Sequence, residues 1–427
     1  MNTGRSSDPE DSGLIGVDLD EDSAMKSLKV LMIAPTSFFA DYGGHVRILE
    51  EAVALQKLGH RVTVCTYHNG QDVEGLDIER TPSIPWRQDY EVGSSRHKIA
   101  FDVLLFAKSL SVALRWRPDV IHAHIHEGAL IGYPISRLLR VPLVFDLQGS
   151  MTSEMIDHGF MKPTGLFYRY MRWLERIIDH VPHAVITSTQ HAKDLLCGEF
   201  GCDHRQIHII PDSVNGQFFQ RRQDRDGERE LRSALGIPPD CSVVVYLGLL
   251  AEWQGIGLLL DGIAQLQDRL QDTRFLIMGF PNVEYYRTRA QQLGIEDSVI
   301  FTGKIPYFEA PRYLALGEVA VSPKVSATEG CGKLLNYMAM GLPTVTFDTP
   351  VSREYLGEWG VYAPKGDSVA FARAIVSLLN EKERALELGS ALRSRALSHY
   401  SWEKAGRKIV EIYHQVVKST TVAEPSE

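Results

Sequence analysis

KVLMIAPTSFFADYGGHVRILEEAVALQKLGHRVTV, residues 29–64, is the stretch that determines the fold class. Its run KVLMIA predicts a buried strand, and the apolar spacing after the double glycine Gly43-Gly44 predicts an amphipathic helix that leads into a second strand, RVTVCTY. A strand, a helix and a strand in this order predict a parallel sheet covered by helices, an α/β fold. The runs DVIHA, PLVFD, AVITS and QIHIIP continue the same sheet.

The alternation of strands and helices stops in a charged stretch after Asn215 and restarts with SVVVYLG, which predicts two Rossmann-like domains in tandem. The predicted organisation is an acidic tail at 1–27, a first domain at 28–215, a linker and domain entry at 216–240, a second domain at 241–399, a helix at 400–418 that packs back on the first domain, and a tail at 419–427. Two such domains place a cleft between the carboxyl ends of two sheets, where small ligands bind.

Composition restricts the classes of function. The 427 residues, of which 44% are hydrophobic and 23% charged, are typical of a globular protein, and a formal net charge of −9 argues against nucleic-acid binding. The five cysteines lack the paired spacing of a zinc site and fit a reducing compartment. No apolar run reads as a signal peptide or a membrane span, so we expect a cytoplasmic protein, soluble or peripheral at a membrane.

TEGCGKLLNYMAMGLP, residues 328–343, is the strongest candidate for a binding site. Its glycine-rich turn, Gly330-Cys331-Gly332, runs directly into a predicted helix, and the backbone N–H groups of such a turn suit a diphosphate. The carboxylate of Glu329, just ahead, is suited to accept hydrogen bonds from sugar hydroxyls. Spacing alone does not separate this interpretation from a simple tight turn between a strand and a helix.

These residues, together with DVIHAH, IIPDSVN and the opening stretch, resemble glycosyltransferase family 4 from about Lys29 to Val417. The resemblance implies the GT-B fold and a retaining transferase that moves a sugar from a nucleoside diphosphate donor with neither a metal ion nor a cofactor. It also implies that Glu329 corresponds to the first Glu of the family's E-x7-E motif, near the donor sugar. Asn336 stands in place of the second Glu, which holds the ribose.

Two further departures from the family lie in YLGLLAEWQG, where Leu249 and Gln254 replace an Arg and a Lys that clamp the donor phosphates. We expect Lys333 and Lys324 to supply the lost charge; the alternative is that both are ordinary solvated lysines. The complete set of predicted donor-binding residues is Gly43, Gly44, Gly248, Gln254, Lys324, Gly330, Cys331, Gly332, Leu334 and Asn336.

Gln148 follows the strand PLVFD at a position where the family commonly has a His facing the reacting centre. An amide cannot take a proton, but a retaining transfer is often described with the leaving phosphate oxygen as base, so hydrogen bonding to the donor would suffice. The predicted catalytic residues are therefore Glu329, Gln148 and Lys333.

The segment HAHIHE supplies the acceptor-side candidates His122, His124, His126 and Glu127. If the extended strand continues through this segment, the alternation of side chains along a strand places the three histidines on one side of it. Imidazoles at a cleft edge can bind substrate hydroxyls; the alternative is a metal site. DLDED, residues 18–22, resembles a metal motif of another transferase fold and is more simply a solvated acidic run.

Residues 165–180, GLFYRYMRWLERIIDH, mix aromatic and basic residues at helical spacing. This pattern is typical of a helix that lies at a membrane surface, and core packing with snorkelling arginines is the alternative.

The predicted function is transfer of a hexose-type unit from a UDP- or GDP-sugar to a hydroxyl of a glycan, a lipid carrier or a small metabolite. The rivals are an epimerase or a phosphorylase of the same fold, and a binding or scaffold protein that has lost catalysis. The scaffold alternative rests on the four altered positions Gln148, Leu249, Gln254 and Asn336.

Overall fold

The structure, a computed structural model, describes residues 26–40, 43–83, 98–157, 159–221, 224–326 and 330–422. The predicted acidic tail with its DLDED motif, apart from residues 26 and 27, and the last five residues lie outside these ranges. All five cysteines are free thiols.

The first sheet is parallel throughout and has the strand order β3-β2-β1-β4-β5-β6-β7. Its strands are β1 (Lys29–Ala34), β2 (Arg61–Thr66), β3 (Asp77–Arg80), β4 (Val120–His124), β5 (Leu143–Leu147), β6 (Ala184–Thr187) and β7 (Ile207–Ile209). Its helices are α1 (Gly43–Lys57), α2 (Lys98–Trp116), α3 (Ile125–Leu139), α4 (Met151–Asp157), α5 (Leu166–His180) and α6 (Gln190–Leu195). The connecting segment contains α7 (Arg225–Ala234).

The second sheet is also parallel, with the order β10-β9-β8-β11-β12-β13. Its strands are β8 (Ser242–Leu247), β9 (Thr273–Met278), β10 (Val299–Gly303), β11 (Val319–Ser322), β12 (Thr344–Phe347) and β13 (Val361–Ala363). The helices are α8 (Ile256–Gln265), α9 (Val283–Gln292), α10 (Ala310–Leu314), α11 (Gly332–Ala339), α12 (Pro350–Leu356), α13 (Ser368–Asn380), α14 (Lys382–His399) and α15 (Trp402–Val422). The predicted α/β class with two parallel sheets is confirmed.

Both faces of the first sheet are covered, which explains why its strands read as continuous apolar runs. Alternate residues of β1 point to opposite faces. Leu31 and Ile33 pack in a core with residues of α2, α3 and α5, whereas Val30 and Met32 pack with α1 and α15. Residues 165–180 form the predicted helix. Among the helices that the structure describes, none has the length and hydropathy needed to cross a bilayer.

The chain crosses back to the first sheet at its end. Backbone N–H of Val214 donates to the carbonyl of Tyr400 (2.8 Å), and α15 then lies along α1. Gly406 permits this close approach, since a Cβ atom there would lie 3.1 Å from Cβ of Ala54. Tyr413 of α15 is fully buried, and its hydroxyl hydrogen-bonds to Nδ1 of His122 at 2.5 Å. The helix predicted at 400–418 therefore packs on the first sheet, and it continues to Val422.

Replacing Tyr413 with Phe is expected to lower the free energy of unfolding by about 1–3 kcal/mol, because Nδ1 of the buried His122 loses its partner. Urea denaturation measures this change. Tyr285→Phe is the control, since Tyr285 is 55% exposed and should change stability by less than about 0.5 kcal/mol. Equal stability of the two variants would show that α15 is not held by this contact.

Candidate functional site

The carboxyl ends of the two sheets face each other across a cleft of about 940 Å³. The first sheet contributes the segments that follow β1, β2, β4, β5, β6 and β7, and the second contributes those that follow β8, β9, β10 and β11. In parallel sheets these ends are the usual location of ligands. The cleft therefore lies where the sequence predicts it.

The glycine turn of Gly330, Cys331 and Gly332 lines the cleft and leads into α11, which begins at Gly332. A Cβ atom on Gly330 would lie 2.4 Å from Oδ2 of Asp212 and 3.0 Å from Oγ of Ser188. Only glycine fits this contact between the second domain and the first. The turn presents the start of a helix to the cleft, which favours an anionic ligand.

Lys333, in the first turn of α11, directs its ammonium group to the segment that follows β8. Its Nζ donates to Oε1 of Gln254 (2.6 Å) and to the hydroxyl of Tyr246 (3.0 Å), and it lies 4.4 Å from the centroid of the Tyr246 ring. A Cβ atom on Gly248 would lie 2.7 Å from Nζ, so this glycine leaves the space that the ammonium occupies. Lys333 thus places its charge beside Gln254, one of the positions where the resembled family has a basic side chain.

Lys324 follows β11 and is 7% exposed. Its Nζ donates to the carbonyl of Gly330 (3.1 Å) and lies 6.0 Å from the ring centroid of Trp253. Lys324, Leu249 and Asn336 all line the cleft. The two lysines are therefore at the cleft wall on either side of the glycine turn, and neither is an ordinary solvated lysine.

Leu334 requires a correction. Its side chain is fully buried in the core, its backbone N–H donates to the carbonyl of Cys331 (2.9 Å), and it does not line the cleft. The helical turn that begins at Gly332 rotates this residue away from the cleft. Glu329 lies outside the residues that the structure describes, so its role remains a prediction.

The first domain's contribution begins at Gly43 and Gly44, the first two residues of α1. A Cβ atom on Gly44 would lie 2.7 Å from Oε1 of Gln148, so the amide of Gln148 rests directly on the helix start. Nε2 of Gln148 donates to Oδ2 of Asp146 (3.2 Å). This hydrogen bond orients the amide, and all three predicted residues line the cleft.

Behind Gln148 lies a buried charge network centred on Arg47, which is 5% exposed. The guanidinium donates to both carboxylate oxygens of Asp146 (2.9 and 2.8 Å) and to Oδ1 of Asp212 (2.7 Å), and it pairs with Glu51 at 3.0 Å. Asp212 also accepts the hydroxyl of Tyr355 (3.3 Å) from α12. The network therefore joins α1, the end of β5, the segment after β7 and the second domain.

The charges of this network are set by burial and by Arg47. Burial alone would raise the pKa of Asp146, but the Arg47 guanidinium holds it well below its usual range, so this carboxylate is ionised. Burial and the neighbouring Asp146 charge raise the pKa of Glu51 well above its usual value. Burial, reinforced by His124, lowers the pKa of His122. Both shifts favour the neutral forms of Glu51 and His122 beside the Arg47–Asp146 pair.

His122 also requires a correction. It is fully buried on β4, stacks on the ring of His124 (centroids 4.5 Å apart), and does not line the cleft. Because α15 covers this face of the sheet, His122 cannot reach an acceptor. His124 lines the cleft, and its Nδ1 lies 3.1 Å from Oδ2 of Asp146.

His126 does not share a side with the other two histidines, because the extended run ends at His124. Ile125 has φ of 53° and begins α3, which turns His126 into a separate buried cluster. Its Nε2 lies 3.2 Å from Asp179 and 3.7 Å from Glu175, both on α5. Burial opposes protonation, but these carboxylates raise the pKa of His126 to about 9. His126 and its neighbour Glu127 both line the cleft.

Two groups among the described residues have the spacing of metal ligands: Glu51, His122, His124 and Asp146, and His126, Glu175 and Asp179. In the first group the guanidinium of Arg47 already contacts both carboxyl groups, Glu51 at 3.0 Å and Asp146 at 2.8 Å. In the second group, His126 carries the positive charge. These donor sets are organised around protein cations, which favours structural ion pairs over a metal site.

The sequence analysis missed Arg47 and Asp212. Arg47 and Glu51 are four residues apart within the apolar repeat of α1, and a pair of opposite charges among buried positions is the signal that would have indicated a buried ion pair. Asp212 lies in IIPDSVN, where nothing in the sequence indicates that the carboxylate reaches across to Arg47 and Tyr355.

The His126 ion pair makes stability pH-dependent. The folded pKa is about 9 and the ordinary value is 6.5, so the stabilisation is complete below about pH 6.5 and is lost as pH rises through about 9. We expect His126→Gln to abolish this decline in a series of urea denaturations. His204→Gln, at a 71% exposed position, should retain it. The same decline in both variants would rule out His126 as its source.

Comparison with known proteins follows this geometry. The family profile described as Glycosyltransferase Family 4 matches residues 42–217, and that described as Glycosyl transferases group 1 matches residues 241–381. Together the two profiles cover most of both sheets and the walls of the cleft.

Similar proteins include the alpha-D-kanosaminyltransferase of Streptomyces kanamyceticus, 27% identical over 398 residues that cover 87% of this chain and 98% of the relative. The alpha-monoglucosyldiacylglycerol synthase of Streptococcus pneumoniae is 25% identical over 380 residues, 86% of this chain and 80% of the relative.

Solved structures show the same fold. The Thermosynechococcus elongatus sucrose-phosphate synthase has a TM-score of 0.78 at 17% identity and covers 92% of this chain and all of its own. Anabaena HepE in complex with UDP and glucose has a TM-score of 0.73 at 16% identity and covers 90% of this chain and 98% of its own. With both family profiles matched on a two-domain GT-B fold, this chain belongs to glycosyltransferase family 4.

Proposed function

We propose that this glycosyltransferase uses a nucleoside diphosphate sugar, UDP- or GDP-linked, and transfers the sugar with retention of its anomeric configuration. The observation that carries this proposal is the position of the Lys333 ammonium, which lies in the cleft wall between the glycine turn and the segment after β8. A cation and a helix start on one side of a cleft are suited to a leaving diphosphate.

The roles follow from these contacts. Lys333 and Lys324 neutralise the diphosphate, and the N–H groups near Gly332 bind its oxygens. Asn336 holds the ribose through its amide, and Glu329 orients the donor sugar. Lys333 thereby replaces the Arg and Lys that are absent at Leu249 and Gln254.

Gln148 faces the reacting centre from the first domain. Its amide is fixed by Asp146 and lies on Gly44, so it can hold a donor hydroxyl or phosphate but cannot take a proton. In a retaining transfer the C–O bond to the diphosphate breaks, the acceptor oxygen bonds to the anomeric carbon on the same face, and the acceptor proton passes to the leaving phosphate oxygen. An amide at this position is compatible with that route.

The acceptor is a hydroxyl of a glycan, a lipid carrier or a small metabolite, bound on the side of His124 and Glu127. The name of the alpha-monoglucosyldiacylglycerol synthase refers to a glycolipid, and that of the phosphatidyl-myo-inositol mannosyltransferase of Mycobacterium leprae, which is 24% identical, refers to a phospholipid. These relatives support a lipid-borne acceptor, and with it a peripheral membrane contact through residues 165–180 of a cytoplasmic enzyme.

Thermal unfolding with UDP-, GDP- and ADP-sugars tests the donor proposal, because a ligand that binds only the folded state raises the melting temperature. We expect one nucleotide class to raise it, and Lys333→Ala to weaken that donor's binding about 10- to 100-fold through loss of a charge-assisted contact. Lys365→Ala, an exposed lysine outside the cleft, is the matched control. No shift with any donor would favour the non-catalytic alternative, and an inverted product anomer by NMR would exclude retention.

A chelator should leave turnover unchanged, because in this proposal the positive charge that neutralises the diphosphate comes from Lys333 and Lys324 and not from a metal ion. The measurement is sugar transfer, with the donor class identified above, before and after treatment with EDTA and dialysis. Loss of activity that returns on addition of a divalent cation would contradict the metal-independent proposal.

A further inference from the structure

The outer side of three neighbouring helices, α2, α3 and α5, is unusually apolar. These helices cover one face of the first sheet, with α3 packed between the other two. We use the term apolar helix face for the exposed side chains of three helices: α2 from Ile99 onward, α3 and α5. Its large members are Ile99, Val103, Leu114, Leu130, Tyr133, Leu138, Leu166, Phe167, Tyr170, Trp173 and Ile177.

Exposed apolar side chains are concentrated here. Among the residues that the structure describes, only five other large hydrophobic side chains are exposed: Phe160, Tyr285, Phe308, Leu386 and Leu397. Leu166 is 83% exposed and Trp173 is 57% exposed, so these side chains project into solvent. Such a concentration of exposed apolar side chains on neighbouring helices is typical of an interaction site.

The charge of the apolar helix face has one sign. Its exposed ionisable side chains are Arg137, Arg169, Arg176, His180 and Arg115, the last of which pairs with Glu79 of β3 at 2.5 Å. The carboxylates carried by these helices are turned elsewhere: Glu175 and Asp179 are buried, Asp102 accepts the hydroxyl of Tyr67, and Glu127 lines the cleft. This face is thus apolar and basic on a chain whose formal net charge is −9.

This combination selects among possible partners. Aromatic and aliphatic side chains interspersed with arginines are the composition of helices that lie in the interface of an anionic bilayer. A second copy of the chain, docked by two-fold symmetry, would bring these arginines close to one another, and the described parts of α2, α3 and α5 expose no carboxylate of their own to pair them. The charge pattern therefore favours a lipid surface over self-association.

We propose that the apolar helix face, formed by all three helices, docks this protein on the surface of an anionic lipid bilayer. Its leucine, phenylalanine and tryptophan side chains enter the headgroup region, and its arginines pair with lipid phosphates. The contact extends well beyond residues 165–180, because α2 and α3 contribute six of the eleven large apolar side chains.

The face reaches the rim of the cleft. Phe101 of α2, His126 and Glu127 of α3 and Phe160 just before α5 all line the cleft. When the face lies on a bilayer, the acceptor side of the cleft opens at the level of the headgroups. A hydroxyl carried on a lipid then reaches the first domain's wall without leaving the membrane, a consequence that rests on the proposed function.

Co-sedimentation with vesicles tests the docking. The wild-type chain should bind vesicles of equal parts phosphatidylglycerol and phosphatidylcholine, bind phosphatidylcholine alone much more weakly, and lose affinity as salt is added. Two variants probe separate helices: Leu166→Ser with Trp173→Ser on α5, and Ile99→Ser with Leu138→Ser on α2 and α3. Each should lower the partition coefficient at least about tenfold. Tyr285→Ser with Leu386→Ser, equally exposed on the second domain, is the matched control and should bind as wild type.

The charge contribution has its own pair of variants. Arg169→Gln with Arg176→Gln should lower binding to the anionic vesicles about tenfold or more and reduce its salt dependence. Arg229→Gln with Arg407→Gln removes two exposed arginines from other surfaces and should leave binding unchanged.

Three results would overturn the proposal. The first is a wild-type chain that does not bind anionic vesicles. The second is loss of binding in the α5 variants alone, which indicates a single-helix contact. The third is a dimer in analytical ultracentrifugation that the face variants dissociate, which assigns the face to a second copy. Unfolding curves verify that each variant is folded. Vesicle binding needs no sugar donor. It can therefore fail while donor-induced thermal shifts persist, and it can persist while no donor shifts the melting temperature.

Discussion

The buried guanidinium of Arg47 is the interaction on which the arrangement of the cleft depends. It is a single cation between Asp146 at the end of β5, Asp212 after β7 and Glu51 of its own helix. Removing one partner of such a buried group leaves an unpaired charge that costs about 3–5 kcal/mol, so the three segments are held in one geometry. This geometry has two consequences. It fixes the amide of Gln148 through Asp146, and it positions Asp212 against Tyr355 of the second domain.

In the second domain, the side chain of Lys333 supplies a positive charge near two of the altered positions. The basic side chains that the family resemblance implies at Leu249 and Gln254 are absent, and Lys333 reaches the same place from α11. Tyr246 and Gln254 contact its ammonium through a hydroxyl, a ring face and an amide oxygen. Gly248 supplies the space. Gln148, Leu249, Gln254 and Asn336, the four positions that depart from the family pattern, all line the same cleft.

The fold was predictable because its signals are local and repeat along the chain. Apolar runs located β1, β2, β4 to β7 and β8 to β12, whereas the short edge strands β3 and β13 carry weak patterns and were missed. The glycines and lysines that line the cleft were also predicted from local signals, because they follow strands or lie close to them in the sequence. Arg47 and Asp212 were not, since their partners lie far apart in sequence. Leu334 and His122 were misplaced because helical rotation and the covering helix α15 decide which side chains reach the cleft.

α5 connects the surface of the molecule to the acceptor side of the cleft. Its buried face carries Glu175, which accepts hydrogen bonds from Ser150 and Thr152 at the start of α4 and lies near His126 of α3. Since α4 and the first turn of α3 both line the cleft, the carboxylates of α5 position the acceptor wall. Its outer face is apolar and basic. A helix with charges inward and hydrophobic side chains outward is the reverse of an ordinary surface helix. That inversion costs least where the outer face contacts lipid, and under the docking proposed above the wall that Glu175 supports would lie at the bilayer surface.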